Sequence, residues 1–393
     1  MSPSSATLRH ESRTITTAAT RISELDGLRG IAILMVLVFH YTPASGPFFY
    51  LAHVFQAGWS GVDLFFVLSG YLITGILLDT VTKPHYYRNF IVRRSLRIFP
   101  LYYACLALYA VLIFLPSPIR WKDYLGPGGA GWYLPYLGNV KAFLQNAWPG
   151  AAVLTPLWSL QVEEQFYFSF PLVVWAANRK ALARILAASV FIALALRIVL
   201  ALTIPGNKLG TYLLMPCRMD ALAMGGLLAI ARRESPQLLE SRWVGRITAI
   251  SALTFLTICV LFSEAPWSGP MRTIGYTAID LAFTGVVAMM LTGRPAAFVT
   301  LCRRRFLVWL GVISYGLYLL HIPALMAADR WLVPWLKLAP RGSAEMAIAM
   351  PLAIGAASVS WVLFESKVLK LKERFAAAGR SPALRSSTSS HPE

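Results

Sequence analysis

The sequence predicts an all-α, polytopic integral membrane protein with about ten transmembrane helices and both termini in the cytoplasm. Three observations carry this prediction. Hydrophobic residues make up 57% of the 393 residues and charged ones only 14%, with a mean hydropathy of +0.58; that is the balance of a chain whose solvent is lipid. Ten apolar stretches are long enough to cross a bilayer, which takes ~17–25 residues: about 26–43, 59–79, 98–116, 157–177, 183–203, 211–231, 246–263, 273–292, 307–327 and 345–366. With the N-terminus inside, 26 of the 36 Lys and Arg residues fall on cytoplasmic segments and eight on outer ones, the bias that sets orientation. An odd number of spans would place the later basic loops outside and spoil that bias.

The net charge of +18 would suggest a nucleic-acid partner in a soluble protein. Here the basic residues lie in short loops between apolar runs and report topology instead. Residues 1–21 are polar and lack an apolar signal core, so they read as a cytoplasmic N-terminal segment. Residues 22–366 form the transmembrane domain. Residues 367–393 read as a basic cytoplasmic tail, rich in Ser, Ala and Pro from Ala376 and expected to be disordered. Among the spans, 246–263 is the weakest, diluted by Thr248, Ser251 and Thr254. The longest loop, Leu115 to Pro156, is assigned outside. Its Gly, Pro, Trp and Tyr (GPGGAGWYLPYLGN, then NAWPG) suit stacking on sugar faces or plain interfacial anchoring. Cys105, Cys217, Cys259 and Cys302 have no metal-ligand spacing, so neither a zinc site nor a disulfide framework is expected. No matched pair of broken helices of the transporter kind is visible.

The first span, LDGLRGIAILMVLVFHY, organises the chain. Arg29 and His40 are eleven residues apart, which returns them to nearly the same helix face, about 16 Å apart along the axis. Everything between them is apolar or glycine. A histidine ending such a run is costly unless it is paired or used. Other ionisable groups reach the same outer level: Asp63 in the second span, Glu163 and Glu164 at the start of the fourth, and His321 near the end of the ninth. An imidazole beside a carboxylate is equipment for general base work near neutral pH. Packing hydrogen bonds between helices are the alternative for Asp63 and His321.

The inner level carries the opposite inventory. Arg29 stands at the foot of span one, and Arg93, Arg94 and Arg97 lead into span three. Arg93 with Arg97, and Arg94 with Arg97, share a helix face. Guanidinium groups bind phosphate bidentately; topology or anionic lipid would also account for them. In the sixth span Arg218 and Asp220 are two apart, do not face each other, and should pair with other helices.

Six motifs in order, ELDGLRGIAILMVLVFHY, GVDLFFVLSGYLITGILL, RRSLRIFPLYY, LWSLQVEEQFYF, CRMDALAMGGLLA and LGVISYGLYLLHIP, run from about Ile22 to Glu365. The sequence thereby resembles the membrane-bound acyltransferase-3 family, whose bacterial members include O-acetyltransferases of lipopolysaccharide, nodulation factors, exopolysaccharide and macrolides. Cys217 departs from the pattern, standing where an aromatic is common. The chain resembles the stand-alone type, without an extra extracytoplasmic domain.

The resemblance implies an acyl-CoA-dependent O-acyltransferase of the bacterial inner membrane, acting on a hydroxyl of a saccharide or glycolipid. Acetyl-CoA would be the co-substrate, with no permanently bound cofactor, no metal and no nucleic-acid partner. His40 would be the general base, with Glu163 or Asp63 orienting it. Arg29, Arg93, Arg94 and Arg97 would bind the donor phosphates. Asp26, Glu164, Arg218, Asp220 and His321 would support the site. A transporter or flippase of an acyl group or lipid-linked sugar is the alternative reading of the intramembrane charge, and a non-catalytic scaffold a third. The acceptor, the acyl length and the oligomeric state are not written in the sequence.

Overall fold

The computed structural model describes residues 22–42, 56–114, 129–262, 266–338 and 342–377. These residues are helical nearly throughout. Ten long helices coincide with the ten apolar stretches: α1 (Ser23–Tyr41), α2 (Gly61–Thr80), α3 (Tyr86–Phe114), α4 (Leu157–Ala176), α5 (Arg179–Thr203), α6 (Met215–Glu234), α7 (Arg242–Leu261), α8 (Tyr276–Thr292), α9 (Arg305–Ala327) and α10 (Ser343–Ser360). Among the described residues, seven helices are long and apolar enough to cross a membrane. Those seven contain α2 and α5 to α10; α1, α3 and α4 carry more polar groups.

Which helix lies inside follows from its residues. In the most apolar stretch of α2, 83% of positions are buried, against 17% in α5 and 22% in α7. Exposed Phe191, Leu202 and Val260 would be costly in water, but they make an ordinary lipid-facing surface. The central helices meet through small residues. Helix α1 packs along α9, and α2 along α6. A Cβ on Gly311 would lie 1.8 Å from the Asp26 carbonyl oxygen, and one on Gly70 would lie 2.0 Å from that of Leu222. Such close backbone approach is how helices associate where lipid removes the hydrophobic drive. Gly70→Ala should therefore cost about 1–3 kcal/mol through overpacking. Gly131→Ala, whose Cβ meets nothing within 4 Å, should leave the melting temperature in detergent unchanged. Equal melting of the two variants would remove the crossing as a stability determinant.

Both central pairs run parallel. In α1 and α9, Glu24 pairs with Arg303, two residues before α9 begins, at one end, and the Tyr41 hydroxyl donates to the His321 carbonyl at the other (2.6 Å). In α2 and α6, Asp63 pairs with Arg218 and Asp79 with Arg233. Proline placement adds a further constraint. Pro323 inside α9 has no N–H to give the Leu319 carbonyl four residues back, and the Tyr109 hydroxyl of α3 donates to that carbonyl instead.

Three local features depart from the sequence reading. The arginine motif lies inside α3, which begins at Tyr86, rather than on a segment leading into it. In the long loop before α4, where 115–128 fall outside the described residues, Ala130–Tyr133 and Gly138–Gln145 are helical. Its Tyr133 and Tyr136 are buried, with Tyr136 stacked 4.3 Å from Tyr102, so these rings pack on α3 instead of forming an open sugar platform. The chain beyond 366, expected as a disordered tail, continues as a helix over Ser366–Ala377 that packs on α3. Its Val, Leu and Lys alternate at helical spacing, which lets one face pack while the other stays polar. Residues 1–21 and 378–393 lie outside the described residues.

Candidate active site

Five helices converge on a partly open cavity. Arg29 of α1 and Arg94 and Arg97 of α3 line it, facing Glu163 of α4. Arg94 and Arg97 are three apart, so one face of α3 presents both. Arg93, although four residues before Arg97, is not among the lining residues. The Arg94 guanidinium lies 4.3 Å over the Tyr167 ring, a cation–π seat that fixes it in place. The buried Nε atoms of Arg29 and Arg94 have no hydrogen-bond partner among the described residues. Three guanidiniums thus meet one carboxylate in a low-dielectric wall, with donors to spare. Such a wall suits an anion, above all a phosphate.

Glu163 is held within that wall. Its carboxylate accepts from the Ser69 hydroxyl (2.7 Å) and from the Tyr167 hydroxyl (3.0 Å). Glu164, one residue on, is buried and does not line the cavity; its Oε1 has no partner. Asp26 sits at the crossing of α1 with α9, where its carbonyl abuts Gly311. At the far end of the cavity the wall is Ser159 of α4 and Tyr318 of α9, whose hydroxyls are 2.6 Å apart.

His40 lies in the last turn of α1, half-buried. Its Nδ1 is 2.9 Å from the Val36 carbonyl. A carbonyl only accepts, so Nδ1 carries the proton and Nε2 keeps its lone pair. That is the tautomer a base needs. The negative end of the α1 dipole also favours an imidazolium there. The ring's neighbour is a second imidazole: the His321 ring is 4.8 Å away, centre to centre.

Neither carboxylate expected to orient His40 does so through a hydrogen bond. Asp63 is buried and paired with Arg218 of α6, and the Arg218 guanidinium lies 4.2 Å over the Tyr276 ring. Glu163 is committed to Ser69 and Tyr167. The physical reason is competition. A buried carboxylate goes to the strongest donor in reach, and for Asp63 that is a guanidinium. Arg218 and Asp220 do pair with other helices, as their spacing requires. Asp220 accepts from Arg197 of α5 (2.8 Å) and from the Thr277 hydroxyl of α8 (3.0 Å). Asp280 of α8 completes this buried group, fully enclosed beside Asp63 and Arg218.

Arg197, Asp280, Ser159 and Tyr318 were not singled out from the sequence. An ionisable group inside an apolar span is itself the signal that could have found the first two. Nothing local marks Ser159 or Tyr318, because their role comes from the helices they meet.

Residues 22–365 match the family model described as an acyltransferase domain, Acyl_transf_3. Among curated proteins, the chain is 31% identical over 328 residues to the putative peptidoglycan O-acetyltransferase YrhL of Bacillus subtilis, covering 78% of this chain and 49% of that one. It is 30% identical to the peptidoglycan O-acetyltransferase OatA of Listeria monocytogenes, covering 77% and 49%. To the O-acetyltransferase OatA of Staphylococcus aureus it is 29% identical, covering 79% and 51%. The chain therefore spans about half the length of the curated relatives it matches. No solved structure matches it.

Proposed function

Because the chain belongs to the acyltransferase family whose model spans residues 22–365, we propose that it is a membrane O-acyltransferase moving an acetyl group from acetyl-CoA to a saccharide hydroxyl, with His40 as general base. One observation carries the reading. Helix α1 joins a half-buried imidazole with a bare Nε2 to a cavity lined by three arginines. A phosphate-bearing thioester fits the arginine end. Its arm would extend past Ser159 and Tyr318 toward His40, and a site poor in water favours transfer over hydrolysis. Arg29, Arg94 and Arg97 would hold the phosphates, Arg93 would add charge at the mouth, and Glu163 would keep the guanidiniums in place.

The relatives make peptidoglycan the first acceptor to try, with lipopolysaccharide and other glycolipids next. The protein would reside in a bacterial cytoplasmic membrane with ten spans and both termini inside. The basic-residue bias supports this, as does the parallel pairing of α1 with α9 and of α2 with α6. Odd-numbered spans must run parallel to one another, and so must even-numbered ones.

The test is transfer of radiolabelled acetyl from acetyl-CoA to peptidoglycan and glycolipid fractions by membranes carrying the protein. Label in a saccharide fraction is expected. Saccharide flux across vesicles without consumption of any acyl-CoA would replace this reading with transport. The arginines give a second prediction. Arg94→Ala and Arg97→Ala should each raise the donor KM tenfold or more, since a hydrogen bond to a charged group is worth about 1.5–3 kcal/mol. The acceptor KM should not move. Lysine at either position should restore only part of the loss, because it cannot make the bidentate contact. An unchanged donor KM in both alanine variants would take the cavity out of donor binding.

A further inference from the structure

His321 is the buried ionisable group that the reaction outlined above leaves unused. It is fully enclosed in α9. Its Nδ1 is 2.6 Å from the Tyr318 carbonyl, so Nδ1 carries the proton and Nε2 is a bare acceptor. That Nε2 is buried with no hydrogen-bond partner among the described residues. A buried acceptor without a donor is rare in folded proteins and calls for a reason.

The hydroxyls around it are committed elsewhere. Tyr41 donates to the His321 carbonyl (2.6 Å). Tyr318 donates to the Pro156 carbonyl (2.8 Å) and meets Ser159. Tyr109 donates to the Leu319 carbonyl. Among the described residues, the ring packed on His321 with no hydroxyl of its own is His40, edge-on at 4.8 Å with an interplanar angle of 61°. His40 has the same arrangement: Nδ1 anchored on a backbone carbonyl and Nε2 bare. Two imidazoles that have each spent their only proton on the backbone cannot donate to one another. Together they can hold one added proton.

The two rings differ in access. His40 is half-buried and open to a substrate, whereas His321 is sealed. A substrate hydroxyl can reach the first and not the second.

We propose that His321 is the positioning partner of His40, a neutral ring packed edge-on that holds the imidazole in place and sits beside the imidazolium as it forms. The proposal rests on the acyl-transfer reading. As the acceptor oxygen bonds to the acyl carbon, the thioester C–S bond breaks. The hydroxyl proton passes to His40 Nε2, the one lone pair that ring has free, then leaves to the thiolate sulfur. A neutral partner suits this site. A carboxylate beside His40 would place a negative charge in lipid whenever the imidazole was unprotonated, whereas an imidazole adds none. The anchoring of segment 318–321 by Tyr41 and Tyr109, from two other helices, holds the second ring to the first.

Two measurements test the pair. His321→Phe keeps the ring volume and removes the nitrogens. It is expected to lower kcat tenfold or more with donor and acceptor KM within about twofold of wild type. His321→Ala should regain activity when imidazole is added, a readout that a merely structural role would not move. Wild-type activity in His321→Phe would overturn the proposal. The second measurement needs neither a variant nor turnover: 15N NMR of histidine-labelled wild-type protein in detergent. Both His40 and His321 are expected as the Nδ1–H tautomer with unprotonated Nε2. An Nε2–H signal from either ring would overturn the pair even if the variants fail to fold. Absence of acetyl transfer by the wild type would instead strike the acyl-transfer reading, and the tautomers would still decide whether the pair exists.

Discussion

Replacing His40 with alanine is expected to lower kcat by about 100- to 10,000-fold, the range a positioned general base contributes, with the donor KM nearly unchanged. The separation follows from geometry. The arginines that would hold the donor lie at the other end of α1, about 16 Å away along a rigid helix. Folding should be little affected, because the imidazole is half-buried and its one hydrogen bond goes to its own helix. The measurement is label transfer at equal protein abundance, with melting in detergent as the control. If the variant transfers label as fast as wild type, His40 is not the base. If the donor KM rises instead while kcat holds, the imidazole belongs to donor binding.

Arg218→Ala should be the most destabilising single change among the residues described. Arg218 and Asp63 are fully buried and paired, and Asp280 is buried in the same group. Removing the guanidinium strands carboxylates in a low-dielectric interior, a loss of about 3–5 kcal/mol. It also removes a cation seated over Tyr276. The expected result is a large drop in melting temperature and in yield of folded protein. Combining Arg218→Met with Asp63→Asn should recover much of the loss, because the double change removes charge and partner together. If the single variant melts like wild type, the pair is not holding α2 to α6. No recovery in the double variant would assign the loss to packing of the long side chain. With the His40 result, this outcome would separate two roles that the sequence left merged, Asp63 in the fold and His40 in the proposed chemistry.

How much of this was legible in advance differs by residue. The span positions were, because hydropathy is a local property that a window of ~20 residues measures directly. The shared face of Arg94 and Arg97 was legible from helix geometry alone, and so was the return of His40 to the face of Arg29. The reach of α3 back to Tyr86 was not. Its first turns are polar, and hydropathy reports only the part that lies in lipid. The helix over Ser366–Ala377 was missed for the same reason, since a half-polar amphipathic stretch reads as tail by composition.

The partners of the buried groups belonged to the tertiary structure. Sequence placed Asp63, Glu163, His40 and His321 at one level and favoured a carboxylate–histidine contact. Depth along the normal is one coordinate of three, and a linear sequence gives nearly nothing about the other two. These were set by where glycines let backbones touch, α1 against α9 and α2 against α6. That choice brings His321 to His40, delivers Asp63 to Arg218, and sends the Tyr109 hydroxyl to the carbonyl that Pro323 leaves free. The sequence by itself thus determined which helices form, their order along the chain and the ionisable groups each one carries. Only the packing of the helices decided which of those groups meet, because contacts between spans depend on shape complementarity between residues far apart in the chain.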